Sequence, residues 1–301
     1  MRILIVGPCP PPYGGVTRYI ENHLSAWNGK ELEIMILPLV VPTKPEPYKN
    51  VTLLNHNKNF LSWLRVITLG LKYLSRLGLI RLQAFKNLIS FASTLRSVLK
   101  IGDIDVIYAH HSNAIGMVAV SEAKKAGVPC ALVAYGECWL DTKTSKRKEK
   151  AINYSVSNAD WVIATSEHCR NGALNRGASY ERSSVVYAGI DLIKFNTNID
   201  GLEFREKNSI PSDAIIISVL GLALRRKLDT LIEVIPDLLM TKNVYILIGG
   251  VGDDFDYLKQ SVHMLKSDRV KLLGFVDEFD LPSFYRATDI MVVSPRTLVE
   301  C

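Results

Sequence analysis

Short apolar segments recur along the chain, and a helix-like segment separates each one from the next. The first two thirds carry RILIV, LEIMILPLV, IDVIYAH, CALVAYG, DWVIATS and SVVYAG, in that order. Runs of this length, rich in β-branched residues, are typical of strands buried on both faces of a parallel sheet. Their alternation with helical segments predicts βαβ units and an α/β fold.

The same alternation starts again after about residue 196, with AIIISVLG, NVYILIGG, VKLLGF and IMVVSP as strands. A chain of 301 residues is long enough for two domains of ordinary size. We therefore predict two Rossmann-like domains, residues 1–195 and 196–301. The sequence stops soon after IMVVSP, so we expect the second domain to be truncated.

Composition limits the classes of protein to which the chain can belong. Apolar residues make up 48% of the chain and charged residues 22%, which predicts a globular protein with a sizeable core. The five cysteines lack a CxxC pair, which favours reduced thiols in the cytoplasm over disulfides or a zinc site. The N-terminal apolar run is too short for a signal peptide, and no segment approaches the roughly 18 apolar residues of a membrane span.

A glycine pair stands where the first strand gives way to the first helix, in GPCPPPYGGVTRYIENHL. Gly14 and Gly15 would leave the N–H groups at the positive end of the helix dipole open to a phosphate or another anion. The alternative is a tight strand–helix turn that needs glycine only for its backbone angles. The GxGxxG spacing of a dinucleotide fold is absent.

Several distant segments, taken together, resemble one known family. These are GPCPPPYGGVTRYIENHL, ADWVIATSEHCRNGALNRGAS with VVYAGIDLIKF, LDTLIEVIPDLL, and VKLLGFVDEFDLPSFYRATDIMVVSP. In this order and spacing they closely resemble glycosyltransferase family 4, whose members have the GT-B fold of two Rossmann-like domains facing across a cleft. The resemblance covers nearly the whole chain except about residues 43–102.

The resemblance implies a retaining transferase that moves a sugar from a nucleotide-sugar donor, UDP- or GDP-linked, to an acceptor. The family usually needs no metal, and no separate cofactor is expected. The second domain would hold the donor and the first domain the acceptor. Gly14 and Gly15 would lend their N–H groups to the donor diphosphate.

Basic residues are expected to complete the phosphate site. The family places a lysine, often with an arginine, just before the LDTLIE-type helix, where it neutralises the departing nucleotide. GLALRRKLDTL offers Arg225, Arg226 and Lys227, with Arg226 in the lysine position and Lys227 in place of a usual glycine. The alternative is three solvated cations at a helix start, although cations are disfavoured there.

Three positions depart from the family pattern. Tyr135 stands in VAYGECW, where the family commonly has a histidine near the reacting sugar, and Ala188 precedes Gly189 where asparagine is usual. Tyr135 could still donate a hydrogen bond, but it would not carry a histidine's charge. Glu300 occupies the first place of a glutamate pair, and the second place falls beyond the end of the sequence.

Further candidates follow predicted strands. His110 and His111 end a strand of the first domain and face the acceptor on one interpretation, while hydrogen-bonded structural histidines are the alternative. Gly250 and Gly252 resemble the family's glycine-rich turn near the nucleotide, and Phe275 would lie near the base.

Residues 55–102 contain eight basic side chains and no acidic one. Lys58, Arg65, Lys72 and Arg76 fall within about 40° of one another on a helical wheel, beside a broad apolar face. Such an insert suits an anionic membrane surface. The alternative is a pair of ordinary domain helices with a basic edge. Nucleic acid is disfavoured, because exposed stacking aromatics do not alternate with the cations.

We therefore predict a family-4-like transferase at the cytoplasmic face of a membrane, with a lipid-linked or polysaccharide acceptor. The predicted catalytic residues are Arg226, Lys227, Tyr135 and His111. One alternative is a nucleotide-sugar epimerase or hydrolase of the same shape. Another is a non-catalytic protein that binds sugar nucleotides or membranes, an alternative that Tyr135 and the missing second glutamate support.

Overall fold

The computed structural model describes residues 1–9, 14–38, 50–54, 68–69, 71–73, 82–138, 145–221, 229–252 and 255–293. The chain forms two compact units, Met1–Gly189 and Ile190–Cys301. The division falls a few residues before the domain boundary that the sequence predicts.

In the part of the first unit that the structure describes, seven strands form one sheet, and all of its pairings are parallel. Its strands are β1 (Arg2–Val6), β2 (Glu33–Leu37), β3 (Val51–Leu53), β4 (Val106–His110), β5 (Cys130–Ala134), β6 (Trp161–Ala164) and β7 (Ser183–Val185). Their order across the sheet is β3-β2-β1-β4-β5-β6-β7. The predicted run of βαβ units is therefore present.

Helices cover both faces of this sheet. They are α1 (Gly15–Trp27), α2 (Leu82–Ile101), α3 (Ala114–Ala126), α4 (Lys146–Asn158) and α5 (Glu167–Asn175), with a short 3₁₀ turn at Gly136–Cys138. Side chains of β1 alternate between two cores, since Leu4 and Val6 join the core that includes α2, α3 and α4. Ile3 and Ile5 join the core that includes α1. This double burial explains why β1 is apolar from Ile3 to Val6.

The described residues of the second unit include four parallel strands, which form a sheet with the order β10-β9-β8-β11. Its strands are β8 (Ile215–Leu220), β9 (Val244–Gly249), β10 (Val270–Gly274) and β11 (Ile290–Met291), and its helices are α6 (Leu202–Lys207), α7 (Asp229–Met240), α8 (Phe255–Met264) and α9 (Leu281–Ala287). Arg205 ties α6 to this sheet, because its guanidinium donates to the carbonyls of Ala214 and Ala287, each at 2.7 Å. The predicted α/β class is confirmed in both units.

The structure corrects the interpretation of Lys72. Its ammonium lies 2.7 Å from the carboxylate of Glu122 on α3, and its side chain is only 16% exposed. The helical wheel groups Lys72 with Lys58, Arg65 and Arg76 in a basic stripe that would face a membrane, and for Lys72 that prediction is wrong. The reason for the difference is that the partner carboxylate lies outside the acid-free window of residues 55–102.

Helix α2 belongs to the core of the first unit. Phe91, Ala92 and Leu95 are fully buried, so its apolar face packs against the domain. That arrangement matches the alternative of an ordinary domain helix for this part of the segment. Lys58, Arg65 and Arg76 lie outside the described residues. Among the helices that the structure describes, none has the length and apolar character that crossing a membrane requires.

Candidate functional site

The strand order places a crevice at the carboxyl ends of β1 and β4. From β1 the chain builds outward to β2 and β3, and it then returns to β4 on the other side of β1. Ligands of open α/β sheets bind at such a switch point. The backbone of Gly7, which follows β1, lies close against the His110 side chain here, because a Cβ on Gly7 would lie 2.9 Å from the Cβ of His110.

The glycine pair opens α1 beside this crevice. Gly14 is extended, with φ of −159°, and neither Gly14 nor Gly15 has a positive φ. A Cβ on Gly15 would meet no described atom within 4 Å, and one on Gly14 would meet only the Thr17 hydroxyl at 4.0 Å. Neither backbone angles nor packing among the described residues therefore requires glycine at these two positions.

The first turn of α1 also suits an anion electrostatically. It contains no acidic residue, so no carboxylate of its own compensates the positive end of the dipole. Thr17 closes the turn by accepting the Gly14 N–H at 2.6 Å. None of the described residues accepts the N–H groups of Gly15, Val16 and Thr17. Unpaired N–H groups at a helix start are suited to binding a phosphate.

Tyr135, which follows β5, is held by a histidine. Its hydroxyl lies 2.7 Å from Nδ1 of His110, the last residue of β4. His110 is fully buried, and burial lowers the pKa of its imidazole well below the ordinary value. Burial likewise raises the pKa of the Tyr135 phenol. The pair is therefore a neutral imidazole and a protonated phenol at neutral pH.

The second ring nitrogen of His110 decides the direction of that hydrogen bond. Its Nε2 is buried and has no partner among the described residues. A buried N–H without an acceptor is rarer than an unused acceptor, so the favoured tautomer carries its hydrogen on Nδ1 and donates it to Tyr135. The phenol then keeps its own O–H as a donor, and Tyr19 and Tyr108 pack edge-on against the imidazole.

His111 is held in an unusual backbone conformation. Its φ is 76°, in the left-handed region, and its carbonyl oxygen would lie 2.2 Å from a Cβ placed on Gly116. Such strained residues are concentrated at functional sites. The ring Nδ1 of His111 lies 3.7 Å from the carboxylate of Glu137.

Glu137 joins this group through Ser112. The N–H and hydroxyl of Ser112 donate to one carboxylate oxygen of Glu137, at 2.8 and 3.1 Å. Burial alone would raise the pKa of Glu137, but the neighbouring His111 imidazole and the hydrogen bond from the Ser112 N–H lower it below the ordinary value. An ionised carboxylate therefore lies beside His111 at neutral pH, where it orients the imidazole.

In the second unit, glycines mark the carboxyl ends of three neighbouring strands. Gly221, Gly250 and Gly274 have φ values of 93°, 126° and 68°, which side chains rarely adopt. The Gly250 N–H donates to the Gly274 carbonyl at 2.6 Å. Gly252 follows on the same connection, and Phe275 is 68% exposed. The predicted residues Gly250, Gly252 and Phe275 therefore follow neighbouring strands, β9 and β10.

Four of the predicted catalytic and donor-binding residues lie outside the part of the chain that the structure describes, and three residues near the candidate sites were not predicted from the sequence. Arg225, Arg226, Lys227 and Glu300 lie outside the described residues. Sequence reasoning missed Glu137, Gly221 and Gly274, although each glycine ends an apolar run and so gave a signal. No described set of three His, Cys, Asp or Glu residues is arranged to hold a metal ion.

Two family models together match most of the chain. The model described as Glycosyltransferase Family 4 matches residues 13–194. The chain belongs to glycosyltransferase family 4. A second model, Glycosyl transferases group 1, matches residues 201–300, so the two matches correspond to the two units of the fold.

A curated relative is similar over part of the chain. It is an uncharacterized glycosyltransferase of Methanocaldococcus jannaschii, 29% identical over 118 residues. That alignment covers 38% of this family 4 chain and only 30% of the relative.

Solved structures are similar in fold over nearly the whole chain. HepE of Anabaena, in complex with UDP-glucose, has a TM-score of 0.71 at 17% identity, covering 98% of this chain and 74% of that one. The UDP-GlcNAc 2-epimerase of Methanocaldococcus jannaschii has a TM-score of 0.60 at 13% identity, covering 97% and 78%. These likenesses confirm the GT-B fold, with its two Rossmann-like domains.

Proposed function

We propose that this family 4 protein transfers a sugar, with retention, from a UDP- or GDP-linked donor to a lipid-linked or polysaccharide acceptor. The observation that carries the proposal is the open helix start at Gly14 and Gly15. Since the described fold itself does not require glycine there, the space beside α1 is best explained by a ligand that approaches the backbone. A nucleotide diphosphate has the charge that this helix end favours.

Two further observations support a nucleotide-sugar donor. HepE, which shares the fold, was solved with UDP-glucose bound. Gly221, Gly250 and Gly274 let the backbone turn sharply at the carboxyl ends of the second sheet, where ligands of α/β sheets bind.

In the proposed mechanism, the acceptor hydroxyl oxygen attacks the anomeric carbon on the face from which the nucleotide leaves. The bond between that carbon and the donor phosphate oxygen breaks, and a phosphate oxygen takes the acceptor proton. Tyr135, with its O–H free to donate, and His111, oriented by Glu137, would lie near the transferred sugar and the acceptor. Glu300 would contact the donor, and Phe275 would pack near its base.

The proposed location is the cytoplasmic face of a membrane, because a lipid-linked acceptor would lie there. Lys72 does not contribute to this proposal, since its ammonium is paired with Glu122 inside the first unit.

The test of the function is an incubation with UDP- and GDP-sugars, with and without lipid-linked and oligosaccharide acceptors. Nucleotide release should depend on the acceptor, and NMR of the product should show the donor's anomeric configuration. Inverted product would refute retention. Binding without turnover in every combination would favour the non-catalytic alternative.

The epimerase or hydrolase remains a second candidate, because a UDP-GlcNAc 2-epimerase shares the fold. Its activity needs no acceptor. Donor consumption at the same rate with and without acceptor would support it and would contradict the transferase.

Arg226→Ala should lower turnover about 100- to 1,000-fold, while donor affinity changes less than about 10-fold. The expected reason is that the cation neutralises charge that develops on the leaving nucleotide only in the transition state. Single-turnover rates and donor titrations separate the two effects. Lys242→Ala, which removes an exposed cation from the same unit, is the control. Unchanged turnover in Arg226→Ala would refute the assignment.

A further inference from the structure

A cavity of about 500 Å³ lies in the first unit, between α2 and the N-terminal turns of α3 and α4. Apolar atoms form most of its wall, contributed by side chains such as Ala84, Leu88, Ala114 and Ile115. Its volume falls within the roughly 300–1,000 Å³ of small-molecule sites. The cavity therefore offers an apolar compartment large enough for a lipid chain of moderate length.

One side of this cavity is cationic. Arg147 and Lys148 line it from the first turn of α4, and both are exposed. Neither side chain forms an ion pair with any residue that the structure describes. The first turn of α4 carries one acidic residue, Glu149, beside three cations, so it keeps a net positive charge at the helix end where the dipole disfavours cations. An anionic group that binds between Arg147 and Lys148 best explains this arrangement.

The N-terminal turns of two helices meet at the same place. The cavity is also lined by Asn113, whose side chain caps α3 by accepting the Ile115 N–H at 3.0 Å. Ser145 caps α4 in the same way, by accepting the Lys148 N–H. Two positive dipole ends and two cations thus border an apolar space, which is the pattern that complements an amphiphile with an anionic head.

The cavity is also close to the predicted acceptor residues. Asn113 is separated from His111 by Ser112 alone, and Ser112 binds Glu137. An acceptor held in the cavity would therefore have its polar end near the connection that carries His111.

We propose that this cavity binds the lipid phosphate portion of the acceptor, with the phosphate on Arg147 and Lys148 and a prenyl or alkyl chain against the apolar wall. The proposal rests on the proposed function, because it chooses the lipid-linked acceptor over the polysaccharide one. It assigns to these helices a substrate site separate from the donor site at α1.

The test is calorimetric titration of the full chain with farnesyl phosphate, below its micelle concentration and without any donor. Farnesyl phosphate should bind at least about 10-fold more tightly than farnesol or inorganic phosphate, because only it fills both parts of the site. The combined change Arg147→Ala and Lys148→Ala should weaken farnesyl phosphate binding about 10- to 30-fold.

Two further variants make the result specific. Lys146→Ala with Lys150→Ala removes the same charge from the same helix without touching the cavity wall, and binding should stay within about 2-fold. Ala84→Phe fills the cavity from an exposed helix position, so it should weaken farnesyl phosphate binding while the melting temperature is unchanged. Equal losses in the two double variants would overturn the proposal, as would equal affinity for farnesol and farnesyl phosphate.

Failure of the proposed lipid-phosphate site can be told apart from failure of the proposed transferase activity. Specific farnesyl phosphate binding without sugar transfer to any acceptor would support the site and contradict the transferase. Transfer to an oligosaccharide by a chain that does not bind farnesyl phosphate would support the transferase and overturn the site.

Discussion

Gly15→Asp is expected to raise the melting temperature of the protein and to weaken donor binding about 100-fold. The stabilising effect follows from replacing a glycine in the first turn of α1 by an acidic residue, which complements the helix dipole. The new side chain fits, because a Cβ on Gly15 meets no described atom within 4 Å. The same carboxylate would repel a donor phosphate at that helix start.

The substitution Gly15→Asp is expected to increase stability and to decrease donor affinity, so a general loss of folding cannot produce the predicted result. Calorimetric melting and UDP-glucose titration on the same protein measure both effects. Gly15→Asn is the matched control, because it fills the same space without the charge and should weaken binding less. If Gly15→Asp bound UDP-glucose as tightly as the unmodified protein, α1 would not be the phosphate site, whatever the change in stability.

Glu122→Ala is expected to destabilise the first unit by about 3 kcal/mol or more. The Glu122 side chain is 1% exposed, and its carboxylate accepts from Lys72 and Arg96 at 2.7 and 2.8 Å. The Tyr73 hydroxyl also donates to it at 2.7 Å. Removing the carboxylate leaves two largely buried cations and a buried hydroxyl without this acceptor, and urea denaturation at pH 7 would measure the loss.

The pH dependence of the stability gives a second test of the Glu122 cluster, which consists of Glu122, Lys72, Arg96 and Tyr73. Burial alone would raise the pKa of Glu122, but hydrogen bonds from Arg96, Lys72 and Tyr73 lower it from 4.5 to about 2. Because the folded-state pKa is the lower one, the stabilisation is complete above pH 4.5 and is lost as the pH falls towards 2.

Glu122→Gln is the matched control for that test, because it keeps an acceptor for Tyr73 but cannot ionise. The difference in unfolding free energy between the unmodified protein and Glu122→Gln should therefore be larger at pH 7 than at pH 3. An equal difference at both values would show that the carboxylate charge is not what holds Lys72 and Arg96.

Local pattern was enough to predict the α/β class and the strands. After Arg2, RILIV is apolar at every position because both faces of β1 are buried, and that property is visible in the sequence alone. The opening of a helix at Gly15 was likewise predictable, because the glycine pair follows an apolar strand and precedes an amphipathic run.

Features that depend on tertiary contacts were not predictable in this way. The local sequence places Lys72 on a basic face because Glu122, its partner, lies fifty residues further along the chain. Tyr135 was recognised as a departure from the family pattern, but its bond to His110 depends on β4 and β5 being neighbours in the sheet. The contact between Glu137 and Ser112 is likewise visible only in the fold, because it depends on the pairing of β4 with β5.

The close contact between Gly116 and the His111 carbonyl has a consequence for engineering. A library that aims to change the proposed acceptor specificity would include the connection after β4, which carries His111. Any side chain at position 116 would force that carbonyl to move, since even a Cβ would come within 2.2 Å of its oxygen. If the proposed acceptor site is correct, diversity is better introduced at Ala84 and Lys148, with Gly116 kept constant so that variants differ in selectivity and not in the shape of the turn.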